Sequence, residues 1–177
     1  MKSVAWLKIT VFTVGCAWGI FSHATIGVLE GKVSMQGSIV DTACAIDTNS
    51  YEQSIDMGIL PIGLLRQAGQ GPLQPFSITL IGCHLIPWNG EQWQTFSVTF
   101  EGDANGQWFN VSGPAKGVAL QLHDAAGRVV YPGQATPKQD MQYGDYVLNY
   151  GLRLVSDKTP LLPGEYKTTI RFKLDYY

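Results

Sequence analysis

Tyr166-Lys-Thr-Thr-Ile-Arg-Phe-Lys-Leu-Asp-Tyr-Tyr177 carries the clearest structural pattern in the sequence. Side chains alternate between the two faces of a β-strand, so every second residue shares a face. The alternation here predicts a strand with one buried face and one exposed face. The predicted buried face carries Tyr166, Thr168, Ile170, Phe172, Leu174 and Tyr176.

This strand is also predicted to form an edge of its sheet. No turn signal and no further strand pattern follow it. An apolar strand with an unpaired edge presents free backbone N–H and C=O groups, which pair readily with a strand from another chain. The pattern therefore favours a protein that accepts a strand from a partner.

The first 24 residues are predicted to be a secretory signal peptide. Lys2 and Lys8 precede an apolar run from Ile9 to Phe21, and Ser22-His23-Ala24 supplies the small residues of a cleavage site. A membrane anchor is the alternative, but the run is shorter than the ~20 residues that span a bilayer. We therefore expect a mature chain of residues 25–177, long enough for one domain with its own core.

Charge and cysteine content fit an exported protein without a nucleic-acid partner. The formal net charge is −2, and removing Lys2 and Lys8 takes it to −4. The sequence contains no cluster of lysine and arginine. Cys44 and Cys83 remain in the mature chain, and a disulfide is expected in an oxidising compartment, with two unlinked thiols as the alternative. Only His84 adjoins either cysteine, and neighbours in a strand point to opposite faces, so a metal site is not predicted.

Further segments have strand-like alternation and are separated by turn residues. The clear ones are residues 76–83, 95–101, 117–122, 128–131 and 145–155, with shorter candidates at 55–57 and 108–111. An extended segment from Gly31 is expected to lead into a first strand that continues to Cys44. Residues 102–106 are predicted to be a turn, and Leu64-Leu65 a helical turn. Many short strands and no helix of ordinary length predict an all-β protein, a β-sandwich.

No arrangement of residues predicts catalysis, a metal or a cofactor. Catalysis requires a nucleophile with a base, paired carboxylates or a metal cluster. His123 beside Asp124 supplies half of a triad, but no Gly-x-Ser-x-Gly context accompanies it. We interpret His123 as a surface histidine at a turn and predict a protein that is not an enzyme and has no small-molecule substrate. The alternative is a secreted carbohydrate-binding sandwich whose sugar-stacking residues would be Trp88, Trp93 and Trp108.

Four stretches together resemble the pilin subunits of the chaperone–usher pathway, which build Gram-negative type 1 and P pili. Gly37-Ser-Ile-Val-Asp-Thr-Ala-Cys44 is similar to the start of the pilin domain. Cys83 follows its strand as the second cysteine of these subunits does. Residues 115–127 resemble a mid-chain strand and turn. Tyr176 is penultimate and Gly164 lies fourteenth from the end, with alternating apolar residues between them.

The resemblance implies an incomplete immunoglobulin-like β-sandwich that lacks its seventh strand. A chaperone would lend a strand to the resulting groove beside Tyr166–Tyr176, and the N-terminal extension of the next subunit would replace it. The implied domains are a signal peptide at 1–24, a donor extension at 25–36 and a pilin domain at 37–177. The implied donor residues are Gly31, Val33, Met35, Gly37 and Ile39. Alternatively, Val33 and Met35 belong to the first strand of this domain.

The resemblance also implies partners and a location. The partners are a periplasmic pilus chaperone, an outer-membrane usher and other fimbrial subunits, in a fimbria on the cell surface that supports adhesion. Residues 110–117 and the long strand after Asp145 are similar to the P-pilus subunit that terminates and anchors the fibre, although that subunit has a longer N-terminus. A terminator would have a partly closed groove, so an open groove would favour an ordinary subunit.

Overall fold

The computed structural model describes residues 32–39, 41–88 and 90–177. The chain divides into two compact units, one ending at Ser38 and one comprising residues 39–177. In the first unit, residues 32–38 form neither helix nor strand, and their side chains are exposed. The predicted signal peptide and Gly31 lie outside the described residues.

The described part of the second unit contains ten strands and two short helices. In chain order the strands are β1 (Ala45–Ile46), β2 (Gln74–Cys83), β3 (Thr95–Gly102), β4 (Ala104–Asn105), β5 (Trp108–Asn110), β6 (Val118–Asp124), β7 (Val129–Val130), β8 (Gln139–Asp140), β9 (Gly144–Ser156) and β10 (Ile170–Tyr176). The helices are α1 (Thr48–Tyr51) and α2 (Ile62–Ala68). The helical turn expected at Leu64-Leu65 is part of α2. This helix ends at Gly69, whose φ of 70° is a conformation that glycine adopts without strain.

The strands form two antiparallel sheets. The larger sheet has the order β1-β2-β9-β6-β5-β4, with β7 also paired to β6. The smaller sheet has the order β10-β3-β8. The expected all-β sandwich is therefore confirmed, and its antiparallel sheets are those of an incomplete immunoglobulin-like fold.

The core lies between the two sheets and follows the period-2 pattern of the strands. Alternate residues of β2 and β9 face inward, so Ile78 lies opposite Leu148 and Phe76 opposite Tyr150. The largest fully buried side chains are Phe96, Phe100, Phe109, Ile78, Leu80, Leu122 and Val98. β3 supplies three of these seven side chains. It is also the middle strand of the smaller sheet.

Several strand boundaries differ from the sequence predictions. No strand occurs in residues 32–39 or 41–44, and the first one begins at Ala45. The alternation from Gly31 was a valid strand pattern, but a strand also needs a pairing partner, and the described part of this chain provides none there. The prediction of a strand at 55–57 was wrong for the same reason, since these residues are irregular. Within 102–106, two residues predicted to be only a turn form β4 and pair with β5.

The last strand begins at Ile170 and not at Tyr166. Tyr166 and Thr168 precede it, and Lys167 forms only an isolated bridge with Ser112. The alternating pattern continues upstream of the ladder because these side chains still face the core region. Among the described residues, no helix is long and apolar enough to cross a membrane.

Candidate functional site

The edge strand β10 borders the candidate site. It pairs with β3 along its whole length, from Ile170 opposite Gly102 to Tyr176 opposite Phe96. Within the described parts of the chain, no strand pairs with its other side. The ladder of backbone groups on that side is therefore open to a partner.

The backbone of β10 has two kinds of amide group. Just beyond the strand, Tyr177 donates its N–H to the Thr95 carbonyl at 2.8 Å, and Thr95 donates its N–H to the Tyr177 carbonyl at 3.0 Å. Hydrogen-bonded and non-hydrogen-bonded pairs alternate in an antiparallel ladder. The N–H groups directed toward β3 are therefore those of Arg171, Lys173 and Asp175. The N–H groups directed toward the open side are those of Ile170, Phe172, Leu174 and Tyr176.

The inward side chains of β10 are only half-buried, although they pack against the core. The outward side chains of Arg171 and Lys173 are exposed. On the neighbouring strand β3, the inward Phe96, Val98 and Phe100 are at most 2% exposed. β3 has a neighbour on each side, and β10 has one. The missing neighbour accounts for the area that the inward side chains of β10 leave exposed.

A groove of about 1180 Å³ runs beside β10. One wall is formed by residues 161–172, which include the start of β10, and the facing wall by residues 50–60. Apolar core side chains form the floor: Phe76, Phe100, Leu120, Leu122, Leu152 and Leu154. The groove therefore exposes the interior of the sandwich along an open strand edge. A strand laid in it would meet backbone groups on one side and apolar side chains beneath.

The predicted acceptor residues lie in two places. Tyr166, Thr168, Ile170 and Phe172 line the groove. Leu174 and Tyr176 continue on the same face of the strand toward its C-terminal end. Burial raises the pKa of the Tyr166 hydroxyl, and the negative charge of Asp56 in the facing wall raises it further.

The wall leading into β10 is held by close backbone contacts. The N–H of Ser112 bonds to the Lys167 carbonyl at 2.8 Å, and the Lys167 N–H bonds back to Ser112 at 2.9 Å. Gly117 has a φ of +79°, and a Cβ added there would lie 2.8 Å from the carbonyl oxygens of Thr159 and Pro160. Glycine is therefore required where this wall approaches the larger sheet.

Comparison with known proteins identifies what kind of molecule carries this groove. A family model described as fimbrial protein matches residues 33–177. The chain belongs to the fimbrial protein family. It is a structural subunit of a fimbria, and members of this family are exported to the cell surface and assemble with a periplasmic chaperone, an outer-membrane usher and other subunits.

Individual relatives agree with the family assignment. The PRS fimbrial minor pilin protein of Escherichia coli is 33% identical over 152 residues, covering 83% of this chain and 77% of the relative. The fimbria A protein of Serratia marcescens is 30% identical over 175 residues, covering 96% and 97%. The crystal structure of the P pilus rod subunit PapA has the same fold, with a TM-score of 0.69 at 23% identity over 77% of this chain and 100% of that one. A chaperone–usher pilus structure matches with a TM-score of 0.68 at 26% identity, over 86% and 99%.

Cys44 and Cys83 of this fimbrial subunit form a disulfide, with a Cα–Cα distance of 4.1 Å. Cys44 immediately precedes β1 and Cys83 ends β2, so the bond closes the end of the sandwich opposite the start of β10. The backbone of Cys44 also bonds to Tyr176. Burial raises the pKa of the Tyr176 hydroxyl, and this hydrogen bond partly offsets the rise.

The predicted donor residues that the structure describes are exposed. Val33 is 85% exposed, Met35 91% and Ile39 104%. A Cβ added at Gly37 would contact nothing within 4 Å. Side chains this apolar and this accessible are those that a partner surface would bury.

The fimbrial subunit does not assemble the half-triad suggested by His123 and Asp124. His123 is buried, and its ring nitrogens bond to the Gly127 carbonyl at 3.1 Å and the Gln121 amide oxygen at 2.8 Å. The Asp124 carboxylate accepts from the backbone and guanidinium of Arg128. Burial alone would raise the pKa of Asp124, but the hydrogen bonds and charge of Arg128 outweigh it and lower that pKa. The interpretation of His123 as a surface residue was wrong, since it is a buried structural histidine.

The described residues form neither a metal site nor a sugar-binding platform. No group of His, Cys, Asp or Glu side chains in the described residues is arranged to hold a metal ion. Trp88 and Trp93 line one depression, whereas Trp108 stacks on Tyr131 with ring centroids 6.5 Å apart. The three tryptophans therefore do not form a common platform for a sugar.

Sequence reasoning missed one wall of the groove. Within residues 50–60 the sequence predicts only a short candidate strand at 55–57, yet these residues line the groove opposite β10. Ile55 and Met57 are half-buried against the core, while Ile59 is fully exposed. The apolar residues at 55, 57 and 59 were the available signal. Their alternation identified an extended segment but not what it faces.

Proposed function

We propose that this fimbrial subunit accepts a donor strand along the open edge of β10, first from a periplasmic chaperone and then from the N-terminal extension of a neighbouring subunit. The observation that carries the proposal is the combination of an unpaired strand edge with half-buried inward side chains above an apolar groove. A strand added there would gain backbone hydrogen bonds and fill the groove with alternate side chains, which is the β-augmentation mode of recognition. The subunit has no catalytic role in this proposal.

The donor in turn is the segment from about residue 25 to Ile39. Val33, Met35 and Ile39 are separated by even numbers of residues, so they share one face of an extended strand. Gly37 on the same face allows close approach of the backbone. The proposed domains are a signal peptide at 1–24, a donor extension at 25–36 and a pilin domain at 37–177. The donor strand therefore runs on into the first three residues of the pilin domain.

The stabilisation that a donor strand would supply explains why such a subunit would need a partner. Burying Val33, Met35 and Ile39 of a donor would contribute roughly 1.5–3 kcal/mol each, before any ladder hydrogen bonds. A whole domain of this size is stable by about 5–15 kcal/mol. The donor strand therefore supplies a large fraction of the stability, and an uncomplemented subunit should aggregate or be degraded.

Expression of residues 25–177 in a periplasm, with and without a pilus chaperone, tests this function. We expect a soluble one-to-one complex with the chaperone, and aggregation or degradation without it. A stable, soluble monomer made without any chaperone would contradict the proposal. It would instead favour the carbohydrate-binding alternative, which needs no strand from a partner.

A terminator of the fibre is the second candidate, because residues 110–117 and the long strand after Asp145 resemble the terminating subunit of P pili. The relatives at 33% and 32% identity are named as minor pilins, which is compatible with any minor position in the fibre. A terminator requires a groove that no further subunit can enter. The groove of about 1180 Å³ beside β10 is open, which favours an accepting subunit. A peptide that copies residues 25–39 distinguishes the two, because it should displace the chaperone from an accepting subunit and fail to do so from a terminator.

A further inference from the structure

A second depression, of about 850 Å³, lies at the end of the sandwich where the proposed donor segment joins the domain. Ile39, Asp41, Trp88, Trp93 and Tyr176 are among its lining residues. Trp88 is unusually accessible for an apolar side chain, at 95% exposed, and Ile86, two residues earlier in the same loop, is 61% exposed. We call Ile86 and Trp88 the Trp88 surface. Apolar side chains exposed together in this way are typical of a contact with another protein.

The Trp88 surface is fixed to the chain that follows Ile39. The Asp41 carboxylate accepts a hydrogen bond from the Trp88 backbone N–H at 2.8 Å. Farther along, the Trp93 N–H bonds to the Leu85 carbonyl at 2.8 Å and closes the loop. The Trp93 ring packs at 5.8 Å from the ring of Tyr176, the last residue of β10. The loop that carries Trp88 is therefore anchored to both Asp41 and the sandwich.

The short chain distance between Asp41 and Ile39 limits which molecule the Trp88 surface can contact. Two residues of fully extended chain span at most about 7 Å, so Asp41 stays within that distance of Ile39. When Ile39 is seated in a neighbour's groove, the Trp88 backbone, bonded to Asp41, must lie beside the rim of that groove. We propose that the Trp88 surface docks against the body of the fimbrial subunit that accepts this chain's N-terminal strand. This inference rests on the proposed function.

The direction of the donor strand determines which part of the acceptor the Trp88 surface contacts. Every strand pairing in the described part of the domain is antiparallel, and antiparallel pairing is slightly the more stable kind. The C-terminal end of the donor then lies near the beginning of the acceptor's β10. The wall leading into that end carries Leu162, which lines the groove and is 55% exposed. One pole of each subunit would thus meet the opposite pole of the next, the head-to-tail contact that produces open fibres.

The test compares two complexes of the full mature chain, each released from its chaperone. In one, the groove is filled by a peptide of residues 25–39. In the other, it is filled by the extension of a second full-length subunit. We expect Trp88→Ala in the donating subunit to speed dissociation in denaturant about 10-fold or more, because a central tryptophan often dominates an interface. Trp88→Phe should restore most of the lifetime. Val147→Ala, at an exposed apolar position on the outer face of β9, is the matched control and should have no effect.

The outcomes separate this inference from the proposed function. If both the peptide and the subunit enter the groove but Trp88→Ala leaves dissociation unchanged, the docking surface is overturned and the donor strand stands. If neither enters the groove, the proposed function fails and this inference fails with it. Because Trp88 is almost fully exposed, the variant should be captured by the chaperone in normal yield.

Discussion

Phe172 of β10 lies opposite Phe100 of β3, with their ring centroids 6.2 Å apart. Phe100 is 2% exposed, whereas Phe172 is only half-buried. Both rings line the groove. The pair therefore marks the boundary between the finished part of the core and the part that a donor strand would complete, and it is the most direct place to perturb the site.

Replacing Phe172 by aspartate should prevent chaperone capture. A charge would be placed among apolar groups that the incoming strand buries, at a cost of several kcal/mol. We expect the soluble chaperone complex to disappear in a periplasmic co-expression assay. The matched control is Arg171→Asp, one residue earlier on the exposed face. Equal loss of complex in both variants would show that the face of β10 does not matter.

Removing the disulfide should weaken the folded, complemented subunit. Cys44 and Cys83 are 39 residues apart, and closing a loop of that size stabilises a fold by about 4 kcal/mol in the chain-entropy model. We expect the double serine variant to lose a large part of this stabilisation, measured as the free energy of unfolding of the donor-peptide complex in denaturant. A reducing agent should destabilise the natural subunit similarly and leave the variant unchanged. Insensitivity of the natural subunit would contradict the expectation.

Gly117 should tolerate alanine poorly. Its φ of +79° disfavours any side chain, and a Cβ would also collide with two carbonyl oxygens in the wall leading into β10. The matched control is Gly127→Ala, with a φ of +76° and open space around it. We expect about 1 kcal/mol of destabilisation at Gly127 and clearly more at Gly117, read from unfolding of the donor-peptide complex. Comparable losses would mean that the wall moves freely.

Tyr150→Phe should stabilise the subunit, and more so in alkali. The Tyr150 hydroxyl is buried without a hydrogen-bond partner among the described residues, so its removal should gain about 1 kcal/mol. Burial, with a smaller effect of Asp124, raises its pKa from 10.0 to about 12. Between these two pKa values the Tyr150 hydroxyl ionises in the unfolded chain but not in the folded one. The free energy of unfolding of the natural subunit therefore falls as pH rises from 10 to 12.

The phenylalanine variant lacks that loss, and its advantage should grow by up to about 2.7 kcal/mol across this range. Denaturant unfolding of the donor-peptide complex at pH 8, 10 and 11.5 measures it. Tyr143→Phe, at an exposed position, provides the comparison. An advantage of Tyr150→Phe that stays constant with pH would refute the raised pKa.

The strands of the sandwich could be predicted because period-2 alternation is a local property. Residues 76–83, 95–101 and 145–155 were each recognised to within two residues. The start of β10 was misplaced because Tyr166 and Thr168 keep the alternation but lack a ladder partner. Pairing depends on which distant segment lies alongside, and local pattern does not contain that information.

The candidate site was predictable on one side only. The acceptor face of β10 followed from its own residues, whereas the wall at residues 50–60 is irregular chain shaped by what it packs against. The same limit explains His123, whose burial depends on bonds to Gly127 and Gln121 formed by a turn. The depression beside Trp88 brings together Ile39, Asp41, Trp93 and Tyr176 from distant parts of the sequence, so only the fold reveals it.

The amides of β10 can show whether a donor strand pairs with this edge, because the strand contains its own control. Hydrogen exchange should be slow at Arg171, Lys173 and Asp175 in the dilute refolded subunit, since their N–H groups face β3. It should be fast at Ile170, Phe172 and Leu174, and slow there only after the chaperone or a donor peptide of residues 25–39 is added. If Ile170, Phe172 and Leu174 are already protected in the uncomplemented subunit, or stay unprotected in both complexes, then no donor strand pairs with β10.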